Sequence, residues 1–338
     1  MNTVYESRFD KISGMIGKTP LLEIHFTYKG EPRRIFAKAE YFNLSGSIKD
    51  RVAFHIMKKA YEKGEIAPDD IIAEATSGNT GIAFSAMGSY LGHKVVIYMP
   101  DWMSAERINL MKSFGAEVRL VSREEGGFLG SIAMTEKLAE GGGVFLPRQF
   151  SNEDNTETHY LYTGEEISRQ LAAMGLKADG IVAGVGTGGT VMGIGRRLRK
   201  DNADCKVFPL EPLNSPTLST GYRVGKHRIQ GISDEFIPDI LKLDETDAVV
   251  SVDDIDSIIM AQMLSRNFGI GVGISSGANM LGCILAQEKL GNDSTIVTVF
   301  ADDNKKYLST DYSEEFEVKE EYLTHDIVLT DVIAHRYE

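Results

Sequence analysis

Short apolar runs bounded by turn residues alternate with segments of helical period along most of this chain, and that alternation narrows the fold more than any other feature. Residues 35–39 read as a strand. Residues 49–63 read as a helix, with Val52, Ile56, Ala60 and Tyr61 at helical spacing. Residues 71–74 form a short strand, 81–91 a helix, and 94–99 a buried strand stopped by Pro100. Residues 105–114 are a helix closed by Gly115, and 117–121 the next strand. A second series follows: helix 163–174 ending at Gly175, strand 180–184, helix 191–199, strand 206–211, helix 253–267 and strand 294–300. Strands joined by crossover helices build mostly parallel sheets, so the pattern predicts an α/β fold. Periodicity is lost after Glu211, through EPLNSPTLSTGYRVGKHRIQGISDEFIP. The final segment, 311–338, is charged and weakly periodic, which fits either a surface appendage or part of a subunit contact.

With 338 residues the chain exceeds one small core and suits two lobes. A formal net charge of −13 argues against a surface built for nucleic acid or anionic membrane. The two cysteines, Cys205 and Cys283, lie far apart in apolar surroundings, without metal-ligand spacing. So few thiols make a disulfide framework improbable and point to a reducing compartment. The opening MNTVYESRFDKISGM lacks the order of a signal peptide, and no apolar run is long enough to span a bilayer. The expectation is a cytoplasmic protein with no membrane and no nucleic-acid partner. His159 and His227 have no partners at metal spacing, so no metal site is expected.

Three polar loops stand where strands meet helices. In NLSGSIKDR, Lys49 sits where a Gly/Ser loop enters a helix, whose free N–H groups and positive field favour the uncharged, nucleophilic amine. Alone, this segment favours a surface lysine beside a helix cap. In ATSGNTG, Thr76, Ser77, Asn79 and Thr80 gather hydroxyls, an amide and exposed N–H groups suited to a carboxylate. In GVGTGGT, glycines let the backbone approach an anion while Thr187 and Thr190 add hydroxyls, which is phosphate-cradle chemistry. Gly184, Gly186 and Gly189 also fit the G-x-G-x-x-G pattern, with Glu211 as the acidic residue, so that loop alone does not exclude a dinucleotide. A P-loop is excluded because no Lys-Ser/Thr pair follows.

Taken together, GKTPLLEI, SGSIKDR, ATSGNTG, RQFSN, GVGTGGT, EP followed by SP, IQGISDEFIP and GISSGA resemble the fold-type II pyridoxal-phosphate (PLP) enzymes. They occur in the family order between Ile12 and Thr310, and the resemblance is strongest to the cysteine synthase and cystathionine β-synthase group. It implies two lobes, each a mostly parallel twisted sheet flanked by helices, with PLP in the cleft between them. Residues 45–155 would form a smaller, mobile, substrate-binding lobe. Residues 1–44 and 156–310 would form the larger PLP-binding lobe, with 311–338 as an acidic C-terminal segment. It also implies a homodimer. Residue by residue, Lys49 matches the Schiff-base lysine and Asn79 the partner of the cofactor's phenolic oxygen. Thr76, Ser77, Thr80 and Gln149 match the substrate-carboxylate cradle. Gly186, Thr187, Gly188, Gly189 and Thr190 match the phosphate loop, and Ser275 the partner of the pyridine nitrogen. The implied chemistry is β-replacement on a serine- or cysteine-type amino acid through an aminoacrylate, with Lys49 as base at Cα.

Cysteine synthesis from O-acetyl-L-serine and sulfide is the first expectation. The sequence departs from that pattern at Asp234 and Glu235 of GISDEFIP, where cysteine synthases carry small neutral residues. One reading makes Asp234 the base that activates a second nucleophile such as water, converting L-cysteine to L-serine and hydrogen sulfide. The other is a solvated acidic loop. A thiol nucleophile would give a cystathionine β-synthase-like activity. Asp302–Asn304 also replace a small turn expected near the cofactor ring, so the local polarity differs there.

Overall fold

The computed structural model describes residues 3–222, 224–233 and 236–338. Its strands are β1 (Leu21–Tyr28), β2 (Glu31–Ala39), β3 (Ile71–Ala75), β4 (Val95–Pro100), β5 (Glu117–Val121), β6 (Val144–Phe145), β7 (Gly180–Gly184), β8 (Lys206–Pro212), β9 (Val250–Val252), β10 (Ile296–Phe300) and β11 (Ile327–His335). Its α-helices are α1 (Thr3–Ile12), α2 (Lys49–Lys63), α3 (Asn79–Leu91), α4 (Ala105–Ser113), α5 (Gly127–Ala139), α6 (Glu153–Thr158), α7 (Glu165–Ala173), α8 (Gly189–Leu198), α9 (Thr217–Thr220), α10 (Asp254–Phe268) and α11 (Ile274–Leu290). The chain divides into two compact units, each with its own sheet and core. One comprises Met1–Gly17 and Phe42–Asn155, the other Lys18–Tyr41 and Thr156–Glu338.

The first unit holds a four-stranded, all-parallel sheet in the order β5-β4-β3-β6. β4 is buried along its whole length, as a strand covered on both faces must be, and its sequence VVIYMP shows no alternation. Ile56, Met57, Ile72, Phe84 and Ile97 are fully or almost fully buried in this core. Residues 3–17, which the sequence reading assigns to the larger lobe, pack here instead. Phe9 meets Phe54 and Tyr61 edge-on, Tyr5 stacks on Tyr61 at 4.2 Å, and Arg8 donates to Leu91 O at 2.7 Å. Once buried, an aromatic pair of this kind outweighs chain proximity in choosing where the N-terminal helix sits.

The second unit holds a seven-stranded sheet in the order β11-β1-β2-β10-β7-β8-β9. β2, β10, β7, β8 and β9 run parallel, while β1 pairs antiparallel with both β2 and β11. The C-terminal segment is therefore a sheet strand rather than an appendage. Ile327 and Leu329 turn inward and are buried, while Val328 between them is exposed. Behind β2, the fully buried Lys38 ammonium meets Glu166 at 2.8 Å, Thr19 O at 2.6 Å and Gln170 Oε1 at 2.7 Å. Those bonds supply what a charge needs to persist away from water. Residues 163–174 are not one plain helix. The helix begins at α6, and a π-helical turn, His159–Gly164, interrupts it before α7. Both cysteines are buried and free, and burial pushes both thiols above their usual range. Among the described residues no helix is long and apolar enough to cross a membrane.

Candidate active site

Lys49 is the first residue of α2 and is half-buried. The helix start has no side-chain cap from Ile48, the residue before it. Order comes instead from the next residue. The buried Asp50 carboxylate accepts from Ser45 N–H at 2.9 Å, Ser45 Oγ–H at 2.6 Å and Ser47 N–H at 3.2 Å, while Ser47 Oγ accepts from Lys49 N–H at 3.3 Å. The Gly/Ser loop is thus wound around one carboxylate, with Gly46 in the left-handed region where its turn needs a residue without Cβ. Asp50 was not singled out in the sequence. The readable signal was an acid in the first turn directly after a serine-rich loop.

In the same unit the β3–α3 loop brings together the residues expected to form a carboxylate cradle. Thr76 is buried, and its Oγ1 accepts from Gly78 N–H at 3.0 Å. Thr80 Oγ1 donates to Gln149 Oε1 at 2.6 Å, and Gln149 Nε2 donates to Ala75 O at 2.9 Å. Ser77 lies in the loop before α3, and Asn79 is the first residue of that helix. Gly78 is required by close approach, because a Cβ there would lie 2.4 Å from Arg107 Cδ. Gln149 is fixed from behind as well. Its N–H donates to Glu74 Oε2 at 3.3 Å, its carbonyl accepts from Asn155 Nδ2 at 2.9 Å, and Arg148 before it adopts a left-handed φ of 52°. Glu74 itself is buried, and that burial pushes its carboxyl up to about 8.

The second unit carries the glycine loop between β7 and α8. Gly188 caps α8 with φ 87°, and Thr187 Oγ1 accepts from Gly189 N–H at 3.4 Å. A Cβ at Gly186 would lie 2.5 Å from Gly231 O, and one at Gly188 would lie 2.8 Å from Leu241 Cβ. Asn279 Oδ1 accepts from Gly184 N–H at 2.8 Å and its Nδ2 donates to Val299 O at 2.7 Å, tying the end of β7 to α11 and β10. Ser275 lies in the first turn of α11 and is buried. Asp302 is also buried, accepts from Tyr307 Oη–H at 2.6 Å, and offers its backbone oxygen to Gly273 N–H at 3.0 Å. The segment leading to Asp234 is strapped to the glycine loop, with Ser233 N–H donating to Val185 O at 2.8 Å. Asp234 and Glu235 themselves lie outside the described residues.

These two sets of loops offer an amine at a helix start, a hydroxyl and amide cluster suited to a carboxylate, and a glycine cradle suited to a phosphate. A family model described as "Pyridoxal-phosphate dependent enzyme" matches residues 12–302. A cysteine synthase of Staphylococcus aureus (strain Mu50 / ATCC 700699) is 39% identical over 301 residues, covering 89% of this chain and 96% of the relative. A hydrogen sulfide-producing enzyme of Fusobacterium nucleatum is 60% identical with a TM-score of 0.94, covering 97% of this chain and 99% of its own. An aspartate-to-asparagine mutant of that enzyme, complexed with an α-aminoacrylate intermediate, superposes with a TM-score of 0.95 at 60% identity, covering 97% of this chain and 99% of its own.

Proposed function

Because the chain belongs to the pyridoxal-phosphate-dependent enzyme family, we propose that it performs β-replacement and that its reaction is L-cysteine plus water giving L-serine plus hydrogen sulfide. The observation that carries this reading is the 60% identity, spread over 97% of the chain, to a hydrogen sulfide-producing enzyme. Synthesis of L-cysteine from O-acetyl-L-serine and sulfide is the second reading, favoured by the 39% identity to a cysteine synthase. The two share every step up to loss of the β-substituent and differ in the nucleophile that follows.

The β7–α8 loop fits the cofactor's phosphate. Side chains at Gly186 or Gly188 would collide with their surroundings, and the bare backbone N–H groups at the start of α8 would offer an anion a favourable helix field. When bound, PLP supplies an acceptor for the electron pair left at Cα. Lys49 would hold the cofactor, and its amine would be the base that takes the Cα proton and later gives it back. Asn79 would bond the cofactor's phenolic oxygen and Ser275 its ring nitrogen. Gly186, Thr187, Gly188, Gly189 and Thr190 would hold its phosphate. Thr76, Ser77, Thr80 and Gln149 grip the substrate carboxylate, so that the Cα–H bond points at one base. Asp234 takes a proton from the attacking water. The Fusobacterium aspartate mutant, holding an α-aminoacrylate, supports a role for an aspartate in the second half-reaction of that relative. The same proposal makes the unit containing Lys49 the substrate-binding one and the protein a cytoplasmic homodimer; the two free, buried thiols suit a reducing compartment.

The test is a pair of assays on one preparation. L-cysteine alone should yield sulfide and L-serine in equal amounts, faster than O-acetyl-L-serine plus sulfide yields L-cysteine. The reverse order would establish the second reading. Asp234→Asn should retain substrate binding and lose sulfide turnover. Unchanged steady-state sulfide release in that variant would remove Asp234 from the mechanism.

A further inference from the structure

The π-helical turn lies directly under the glycine loop. His159 opens the turn and is fully buried, with Nδ1 3.0 Å from Thr163 Oγ1 at the other end of the same turn. Its Nε2 is 3.3 Å from Oγ1 of Thr190, in the first turn of α8. Two features show that this alignment is built. Widening one helical turn to the π form places side chains that an α-helix would carry past each other, and such turns recur at functional sites. Gly193, one turn further along α8, seats that helix on the same turn. A Cβ there would lie 2.3 Å from Thr156 O, 2.7 Å from His159 Cβ and 2.8 Å from Tyr160 N. Any larger residue at 193 would lift α8 off His159.

We propose that His159 is a positioning residue for cofactor binding, which orders the Thr190 hydroxyl so that its hydrogen points to the cofactor phosphate. This rests on the reading that the Gly186–Thr190 loop binds that phosphate. A hydroxyl has one hydrogen and two lone pairs, so its direction is undecided until a neighbour occupies a lone pair. A neutral ring with its hydrogen on Nε2 does so. Thr163 Oγ1–H donates to Nδ1, Nε2–H donates to Thr190 Oγ1, and the Thr190 hydrogen is left for an acceptor outside the pair. The chain of donors runs one way and ends at the anion. Each bond polarises the next in a dry environment. The opposite ring tautomer would turn the Thr190 hydrogen back toward the histidine and leave the phosphate facing a lone pair.

The experiment compares dissociation constants of the full-length protein for pyridoxal 5′-phosphate and for pyridoxal, which lacks the phosphate. The ratio of the pyridoxal constant to the pyridoxal 5′-phosphate constant isolates the phosphate's contribution. In His159→Phe the ratio should fall about tenfold, as for one lost hydrogen bond to a charged group, with pyridoxal affinity unchanged. His159→Gln, whose amide nitrogen can donate to Thr190, should recover most of the loss. Thr163→Val should cost a smaller factor in the same direction. His159→Phe combined with Thr190→Val should lose no more than Thr190→Val alone, because the histidine acts through that hydroxyl. A structural role would weaken both ligands equally, or add to the Thr190→Val loss, and either result overturns the proposal. An unchanged ratio in the His159 and Thr163 variants, with a reduced one in Thr190→Val, overturns it while leaving the phosphate loop in place. An unchanged ratio in Thr190→Val and Thr187→Val removes the phosphate-loop reading itself. If His159→Phe does not fold, His159→Gln and Thr163→Val decide the matter by the same ratio.

Discussion

Lys49 stands at a helix start whose order comes from the following residue. Asp50 collects three donors of the loop, so the turn that presents the lysine is fixed by a carboxylate within one residue of it. The two positions should therefore fail differently. Lys49→Ala should abolish the visible absorption of covalently held cofactor and lower turnover by roughly 10²–10⁴-fold or more, the range for losing a positioned base. Asp50→Asn puts an NH2 group among three donors. It should retain the band but lower folding stability by about 1–3 kcal/mol, measured by urea denaturation, because N–H groups lose their acceptor. A Lys49→Ala protein that kept the band would place the covalent site elsewhere. At this scale the loops were legible because hydroxyls, amides and glycines at strand-to-helix junctions have few other uses. Asp50 had a readable signal, an acid in the first turn after a serine-rich loop, whereas Glu74 and His159 had none. Glu74 and His159 are defined by partners distant in sequence, Gln149 for the one and Thr190 for the other. Periodicity carries no information on such pairings.

Elements of the parallel sheets were legible wherever an apolar run met an amphipathic helix. Strand β5, helix α2 and strand β7 fall at the residues their patterns imply. Helix α11 was missed for a physical reason. It is buried along most of its length, so its sequence has no polar face to set a period, and two glycines interrupt it. Strand β11 was missed for the opposite reason, since its outer positions are exposed and charge surrounds it. Its fit to β1 becomes visible only through the long-range register, Leu21 opposite His335 and Tyr28 opposite Ile327. Two further ties hold it, the His335 ring to Glu23 at 2.8 Å and the His335 carbonyl to Gln170 Nε2 at 3.0 Å. Ending the chain at Asp326 should thus remove a working strand. It exposes the contacts of Ile327 and Leu329, at about 1.5–3 kcal/mol per buried side chain, and opens the β1 edge to aggregation. The shortened protein should show a clearly lower denaturation midpoint and concentration-dependent association. Equal stability in both lengths would mean that β11 contributes nothing to the second unit.

For the whole molecule, acidic residues outnumber basic ones, and two populations of carboxyl groups oppose each other as pH changes. Bonds from arginine, lysine, histidine and backbone hold Glu23, Asp154, Glu165, Asp201, Glu245 and Asp247 below the usual carboxylate range against the cost of partial burial. Their contribution is complete above the ordinary values of 3.8 for aspartate and 4.5 for glutamate, and is lost as pH falls through the depressed ones. Glu74 has the reverse sign. Burial dominates over the N–H groups of Ala75 and Gln149 and over nearby Arg148, while Glu136 adds to the rise, so its folded value is about 8 against an ordinary 4.5. Between those values the folded chain keeps a proton that the unfolded chain has released. Stability from this group is therefore complete below pH 4.5 and declines as pH rises toward 8. Buried Asp256, pushed up by burial, acts in the same sense. The expected profile rises steeply out of acid, peaks on the acid side of neutrality, and falls with a slope of at most about 1.4 kcal/mol per pH unit for one group. Glu74→Gln should flatten the alkaline limb and move the peak upward, because a neutral amide oxygen can still accept from Gln149 N–H while titrating nothing. Denaturant midpoints at several pH values from 4 to 9 would show this as a difference between wild type and variant that changes across the range. A constant difference would mean that Glu74 carries the same charge in the folded and unfolded chains, and the shielding that the cradle's floor gives it would have to be rejected.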